Sequence, residues 1–209
     1  MENTTKNNIL DAALVMFAER GYKGTNLRDL AAALNLSKSA LYKHYDSKED
    51  IWNALLDKME AYYALRFGSM DNLPKTPDFL EEFIQMSMGM IRFTVHDPQI
   101  ILTRKLLLTE QFHDDRVCKL ATKHFLEGTA NIYTKVFEAM MNKGLLKKQD
   151  PAMLAFSFTP PISALIHLCD REPDRQPEAF ARMEAYLRYF LALHAPCEPT
   201  GRKENHVST

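Results

Sequence analysis

Residues 25–48 read TNLRDLAAALNLSKSALYKHYDSK, and the fold of the whole chain turns on this stretch. Leu27, Leu30, Ala31 and Leu34 fall at i, i+3, i+4 and i+7, one apolar stripe on a short helix, with Thr25 in the N-cap position. Asn35 ends that helix, because asparagine tolerates the left-handed backbone that closes one, and Leu36 is placed to fold back under the turn. Ser37 caps a second helix in which Leu41 points inward and Lys38, Ser39, Tyr42 and Lys43 point out. Two short helices joined by a tight corner make a helix-turn-helix. Polar residues at the start of the second helix and the hydroxyl of Tyr42 suit phosphates and base edges in a DNA major groove. Ser47 and Asp50 form a capping-box variant, which sets Lys48 at the next helix start beside a backbone phosphate. The same pattern also fits an ordinary pair of amphipathic surface helices, so spacing alone leaves both readings open.

Working outward, Ile9, Leu10, Ala13, Leu14, Phe17 and Ala18 trace a preceding helix that stops at Gly21, a C′ glycine. Phe17 and Tyr22 are expected to pack on Leu27, Leu30 and Leu41. Such a unit is small for an independent core and needs a partner, and the stripe Ile51, Trp52, Leu55, Leu56, Met59 and Tyr63 on a helix over 48–67 supplies one. At 1.5 Å per residue that helix spans roughly 30 Å, enough to join a head to a body. Beyond a break at 68–75, Thr76-Pro77, Asp97-Pro98 and Asp150-Pro151 each put a capping side chain before a proline, with Gln176-Pro177 a weaker copy. Helices are expected over 79–93, 99–111, 115–141 ending at Gly144, 152–168 and 178–193. Pro160-Pro161 should kink or restart the eighth. No stretch alternates over strand length, so the chain reads as all-α with nine helices. The expected division is a DNA-binding head at 1–47, a helical effector-binding and dimerisation domain at 48–195, and a disordered tail at 196–209.

The run from Thr25 through Leu30-Ala31, Leu36-Ser37, Leu41-Tyr42, His44-Tyr45 and Ser47-Lys48, with Phe17 and Gly21-Tyr22 before it, resembles the N-terminal domain of the TetR family of bacterial transcriptional regulators over residues 5–56. The resemblance implies base-edge contacts from Lys38, Ser39 and Tyr42 and phosphate contacts from Thr25, Ser37, Tyr42, His44 and Lys48. Two positions depart from the family pattern. Asn35 stands where glycine is usual, and Ala40 replaces a common polar residue with a methyl able to touch a thymine methyl. The resemblance further implies a ligand pocket among helices four to eight, with Met59, Tyr63, Met90, Arg104, Phe137 and Phe158 as candidates, and a homodimer through the last two helices. Ile162, Leu165, Ile166, Phe180, Met183, Leu187 and Leu191 are the candidate dimer contacts. Most Met and aromatic residues at helical spacing nevertheless belong to a core. The implied function is a repressor released from a double-stranded, palindromic DNA operator by a small, largely apolar effector. Two alternatives stand beside it: the same architecture without an effector, and a helical enzyme or binding module that only looks like a regulator.

Whole-chain numbers bound the setting. The chain has 209 residues, 46% hydrophobic and 25% charged, ordinary globular values, and a formal charge of −1. Residues 1–48 hold seven Lys/Arg against five Asp/Glu, a slightly basic head on a mildly acidic body. Cys118, Cys169 and Cys197 show no metal or disulfide spacing, so a reducing cytoplasm is the expected location. No apolar run approaching ~18 residues is evident, and no membrane association is expected. An enzyme has one foothold, the Glu-x-x-His spacing of Glu110 and His113, but di-iron chemistry needs a second such pair. There is no Gly-rich phosphate loop, GxSxG or HExxH. No catalytic residue, cofactor or metal is therefore expected.

Overall fold

The computed structural model describes residues 2–67 and 78–196. Among these residues the chain is all-α, with nine helices and no strand. They are α1 (Glu2–Gly24), α2 (Leu27–Ala33), α3 (Lys38–Tyr42), α4 (Lys48–Phe67), α5 (Leu80–His96) and α6 (Pro98–Glu110). Next, α7 runs unbroken from Asp115–Thr122 through a π-helical turn (Lys123–Glu127) into Gly128–Asn142. Last come α8 (Pro151–Arg171) and, after a short 3-10 turn, α9 (Gln176–His194). The Thr76-Pro77 start and nearly all of the tail lie outside the described residues.

Local chemistry sets most helix ends as expected. Gly21 has φ 72° and ψ 171°, so the first helix breaks there and only a last turn continues to Gly24. Asn35 has φ 54°, and the amide of Leu36 returns to the Ala31 carbonyl at 2.9 Å, closing α2. Gly144 closes α7 with φ 72°. Ser37, Asp97 and Asp150 accept from the first-turn amides of α3, α6 and α8. Two expected caps are replaced. Asn26, not Thr25, caps α2, its Oδ1 accepting from the Asp29 amide at 2.9 Å. Gln176 is the first helical residue of α9 rather than its cap, because the turn Pro173–Arg175 leads directly into that helix.

Two cores hold the molecule, and neither coincides with a contiguous stretch of chain. The first joins Ile9, Phe17, Leu30 and Leu41 to the first half of α4, then draws in Leu106 and Leu107 of α6 and Val117, Leu120 and Ala121 of α7. This solves the small head's difficulty by lending it body residues. The second core packs α5, the later half of α7, α8 and α9 around Phe83, Phe137, Phe158 and Phe190.

Helix α4 is tied to the body at two points by aspartates that also cap helices. Asp114 Oδ1 accepts from the amides of Arg116 and Val117, while its Oδ2 accepts from Trp52 Nε1 at 2.9 Å. Burial alone would raise the Asp114 pKa, but the Val117 amide, the Trp52 indole and the Arg116 amide and charge hold it below the usual carboxylate value. Asp97 repeats the device, with Oδ1 on the Ile100 amide and Oδ2 on the hydroxyl of Tyr62 at 2.7 Å.

Helix α8 departs from the expected restart and from the expected lack of a long apolar run. It neither stops nor restarts at Pro160-Pro161; the chain remains helical throughout. Pro161 has no N–H to give the Ser157 carbonyl one turn back, and the hydroxyl of Tyr186 on α9 donates to that carbonyl instead, at 3.1 Å. In addition, residues 152–169 carry no Asp, Glu, Lys or Arg, and α8 is the one described helix long and apolar enough to cross a membrane. The run was hidden by its Ser, Thr, Pro and His residues. Leu154, Ala155, Phe158, Ile162 and Cys169 bury one side of it in the second core.

The Tyr186 bond yields a double-mutant test. Tyr186→Phe should lower stability by about 1 kcal/mol, and the same change in a Pro161→Ala background should cost little, since alanine returns the missing amide. Equal losses of Tm in both backgrounds would show that Tyr186 does not repair the helix.

Candidate functional site

The helix-turn-helix is assembled around a few fully buried anchors. Leu30, Leu41 and Phe17 have no exposed surface, and Trp52 closes on Phe17 with ring centroids 5.1 Å apart in an edge-to-face pair. With Leu41 fixed inward, Ser37, Lys38, Ser39, Tyr42 and Lys43 are all exposed on the other side of α3 and its caps. Ser37 Oγ accepts from the Ala40 amide at 3.1 Å and lies 3.0 Å from Ser39 Oγ. The Lys38 ammonium stands 5.6 Å from the Tyr42 ring centre. These side chains form one polar, cationic ridge.

Three expected DNA contacts are placed differently. Thr25 is buried, and its hydroxyl lies within bonding distance of the carbonyls of Met16 (3.2 Å) and Gly21 (3.0 Å). Its one proton is used inside the head, so the hydroxyl is not presented outward. Lys48 turns back too: its ammonium donates to the Tyr22 carbonyl and sits 4.2 Å over the Tyr22 ring. Burial lowers its pKa and the nearby Glu110 carboxylate opposes that shift. His44 is half-buried, with Nδ1 lacking a protein partner.

Glu110 proves to be structural. It is buried, and its Oε1 accepts from the Tyr22 amide at 3.1 Å, the group exposed where Gly21 breaks the first helix. A Cβ on residue 21 would lie 2.6 Å from that oxygen, so glycine serves both the positive φ and the close approach. His113 lies in the turn after α6. Among the described residues no three His, Cys, Asp or Glu side chains are placed to hold a metal.

A cleft of about 100 Å³ opens in the body, lined by residues of α4 to α8 including Phe67, Met90, Arg104, His124, Phe125 and Tyr133. A second lobe of about 90 Å³ shares Phe67, Thr94, Arg104, His124, Phe125 and Thr129 with it and adds Tyr63. Of the six expected ligand residues, Met90, Arg104 and Tyr63 line this space. The others do not: Met59 is buried in the first core, and Phe137 and Phe158 are sealed in the aromatic cluster of the second. Arg104 pairs bidentately with Asp170, at 2.5 and 2.6 Å, and also donates to the Thr94 carbonyl. His124 stacks on Tyr63 with centroids 3.9 Å apart, and burial, then Lys123, lower its pKa to about 4. Arg104 is the polar wall residue that the sequence offers; nothing local foretells the π-turn that sets His124 beside it.

The expected dimer contacts divide similarly. Met183, Leu187 and Leu191 are buried within the chain's own core, Ile162 is buried and lines the cleft, and Leu165, Ile166 and Phe180 pack partly against that core. The apolar residues left outside are others. On α8 they are Met153 and Phe156, and on α9 Ala181, Ala185, Tyr189, Ala192 and Leu193, spaced as one stripe.

Residues 9–55 match the family described as bacterial regulatory proteins, tetR family. Among curated proteins, the biofilm operon icaADBC HTH-type negative transcriptional regulator IcaR of Staphylococcus epidermidis is 40% identical over 58 residues, 28% of this chain and 31% of that protein. The chain thus matches less than a third of the length of such relatives. Solved structures agree along nearly the full chain. A putative TetR-family regulator from Mesorhizobium loti superposes with a TM-score of 0.67 at 19% identity, covering 94% of this chain and 99% of that one. The SmeT–triclosan complex, SmeT being the repressor of the Stenotrophomonas maltophilia multidrug efflux pump SmeDEF, gives 0.69 at 17% identity, covering 93% of each chain. The head sequence over residues 9–55 is thus similar to the tetR family of bacterial regulatory proteins, and the chain shares the fold of solved TetR-family structures.

Proposed function

We propose that the protein is a homodimeric transcriptional repressor that binds a palindromic DNA operator in the cytoplasm and is released by a small ligand held between α4 and α8. The observation that carries this reading is the ridge of Lys38, Ser39 and Tyr42, exposed on a helix whose opposite side is pinned by fully buried Leu41. Rigid presentation is what base readout requires, and Ser37 and Lys43 flank the ridge for phosphates. Relatives support the direction of control, IcaR being a negative regulator and SmeT a repressor solved with triclosan. Selection of bound duplexes from random DNA tests the reading: a palindromic consensus supports it, and the absence of any enriched site would end it.

Dimerisation is assigned to the outward stripe of α8 and α9. Two copies packed there would cover Met153, Phe156, Tyr189 and Leu193, large apolar groups that a monomer leaves in water. A two-fold dimer also gives the short α3 a second grip, about 34–36 Å away on successive major grooves. Release requires only that the ligand prefer a state in which this spacing is lost, with coupling of typically ~1–3 kcal/mol felt reciprocally by DNA.

Three outcomes follow. Lys38→Ala should relax sequence preference at one half-site position, by roughly 1–3 kcal/mol, and Tyr42→Ala should weaken binding with little change in its salt dependence, the phenol being uncharged. Binding unchanged by both substitutions in filter or anisotropy assays would remove α3 as the reader. Phe156→Glu with Tyr189→Glu should give folded monomers in sedimentation, whereas Leu187→Glu should unfold the protein by burying a charge. A dimeric double variant would refute the interface. Glu110→Ala strips Tyr22 of its acceptor and Lys48 of its neighbouring charge, so stability should fall by about 1–3 kcal/mol, with weaker operator binding. Unaltered Tm and affinity would show that this contact does not join the domains.

A further inference from the structure

We infer that the cleft takes a small, uncharged aromatic compound bearing a hydroxyl group, with His124 as its polar anchor; this rests on the reading of the cleft as the effector site. Size comes first. The two lobes of about 100 and about 90 Å³ meet at a shared wall. Since an apolar cavity of roughly 150 Å³ accommodates benzene, they have room for one substituted ring and not for a large drug-like molecule. The rings of Phe67, Phe125 and Tyr133 give that space aromatic sides.

Charge comes second. Arg104 is the cation of the wall, and Asp170 neutralises it through two short bonds while the Thr94 carbonyl takes a third. His124 is neutral near pH 7, held so by burial and by Lys123, and His167 is shifted the same way by burial and Arg104. A charged ligand would give up its hydration with no free countercharge to meet it, a cost an uncharged one avoids.

Hydrogen bonding selects the hydroxyl. His124 is 7% exposed and its Nε2 has no partner in the protein, although buried polar atoms are nearly always paired. Neutral imidazole carries one donor and one acceptor, and a hydroxyl both gives and accepts, so it can satisfy Nε2 in either tautomer. The surroundings hold the ring in place for this. The π-turn Lys123–Glu127 carries His124, Tyr63 stacks on it, and Gly128 keeps the turn possible, since a Cβ there would lie 2.9 Å from the Lys123 carbonyl. Such π-turns inside α-helices are frequent at functional sites.

Phenol, toluene and benzoate separate the possibilities, titrated into the full-length protein by calorimetry, with methyl NMR of Met90 reporting occupancy of the cleft. Phenol should bind about five- to tenfold more tightly than toluene, as one added hydrogen bond implies, with benzoate weakest. His124→Phe should bring phenol and toluene within about twofold of each other; should that variant fail to fold, the wild-type ranking decides alone. Toluene equal to phenol, or benzoate strongest, would overturn the ligand class yet leave the cleft an effector site. No shift of Met90 with any of the three would overturn both.

Discussion

Asp97 and Asp114 each serve a helix start with one carboxylate oxygen and helix α4 with the other. A hydrogen bond to a charged acceptor is worth more than a neutral one, and here each also depends on the geometry of a helix end. The two attachment points on α4, Trp52 and Tyr62, are about 15 Å apart along the helix. Consequently α4 is clamped rather than simply packed. Its angle is defined by where α6 and α7 begin, and any displacement of those starts must be followed by α4 or broken at an aspartate.

Glu110 adds a tie in another direction. Helix α6 carries Arg104 in the cleft wall and, six residues later, Glu110 against Tyr22 and Gly21 at the break in α1. Those six residues rise about 9 Å within one rigid helix, so the cleft and the head share a single mechanical element. Lys48 completes the joint by bonding the Tyr22 carbonyl while Glu110 holds the Tyr22 amide. The head therefore has no surface at which it could swing freely from the body; it shares core residues with it as well, Leu106, Leu107 and Val117 among them.

What the sequence made legible was local. The positive φ of Asn35, the caps at Ser37, Asp97 and Asp150, and the stop at Gly144 all follow from side chains acting within a few residues of themselves. Thr25 misled because it and Asn26 are both good caps, and only the carbonyls of Met16 and Gly21, brought near by folding, claim the threonine. Apolar stripes announced burial but not its partner. Met183, Leu187 and Leu191 were read toward a second subunit and are spent inside the chain, while the outward stripe contains the unremarked Ala181, Ala185 and Ala192. Phe137 and Phe158 were read as cavity walls and are core for the same reason. The long-range ties through Glu110, Asp114 and Tyr186 join residues 29 to 88 positions apart, and no periodicity encodes them.

The π-turn gives these pieces a common centre. Before it, Val117, Leu120 and Ala121 of α7 belong to the core that contains the head; after it, Tyr133, Val136, Phe137 and Met140 belong to the core that carries the outward α8–α9 stripe. A π-turn holds one more residue per turn than the helix around it, so the two halves of α7 keep a relative rotation that an uninterrupted α-helix would not allow. The cleft lies at this seam, with His124 inside the turn and Tyr63 of α4 stacked on it. Packed cores shift between discrete arrangements rather than deforming smoothly. On the proposed reading a small cavity would therefore suffice: a ligand need not push helices apart over a long distance, because contact with His124 would act where the two cores already meet and where their relative rotation is fixed.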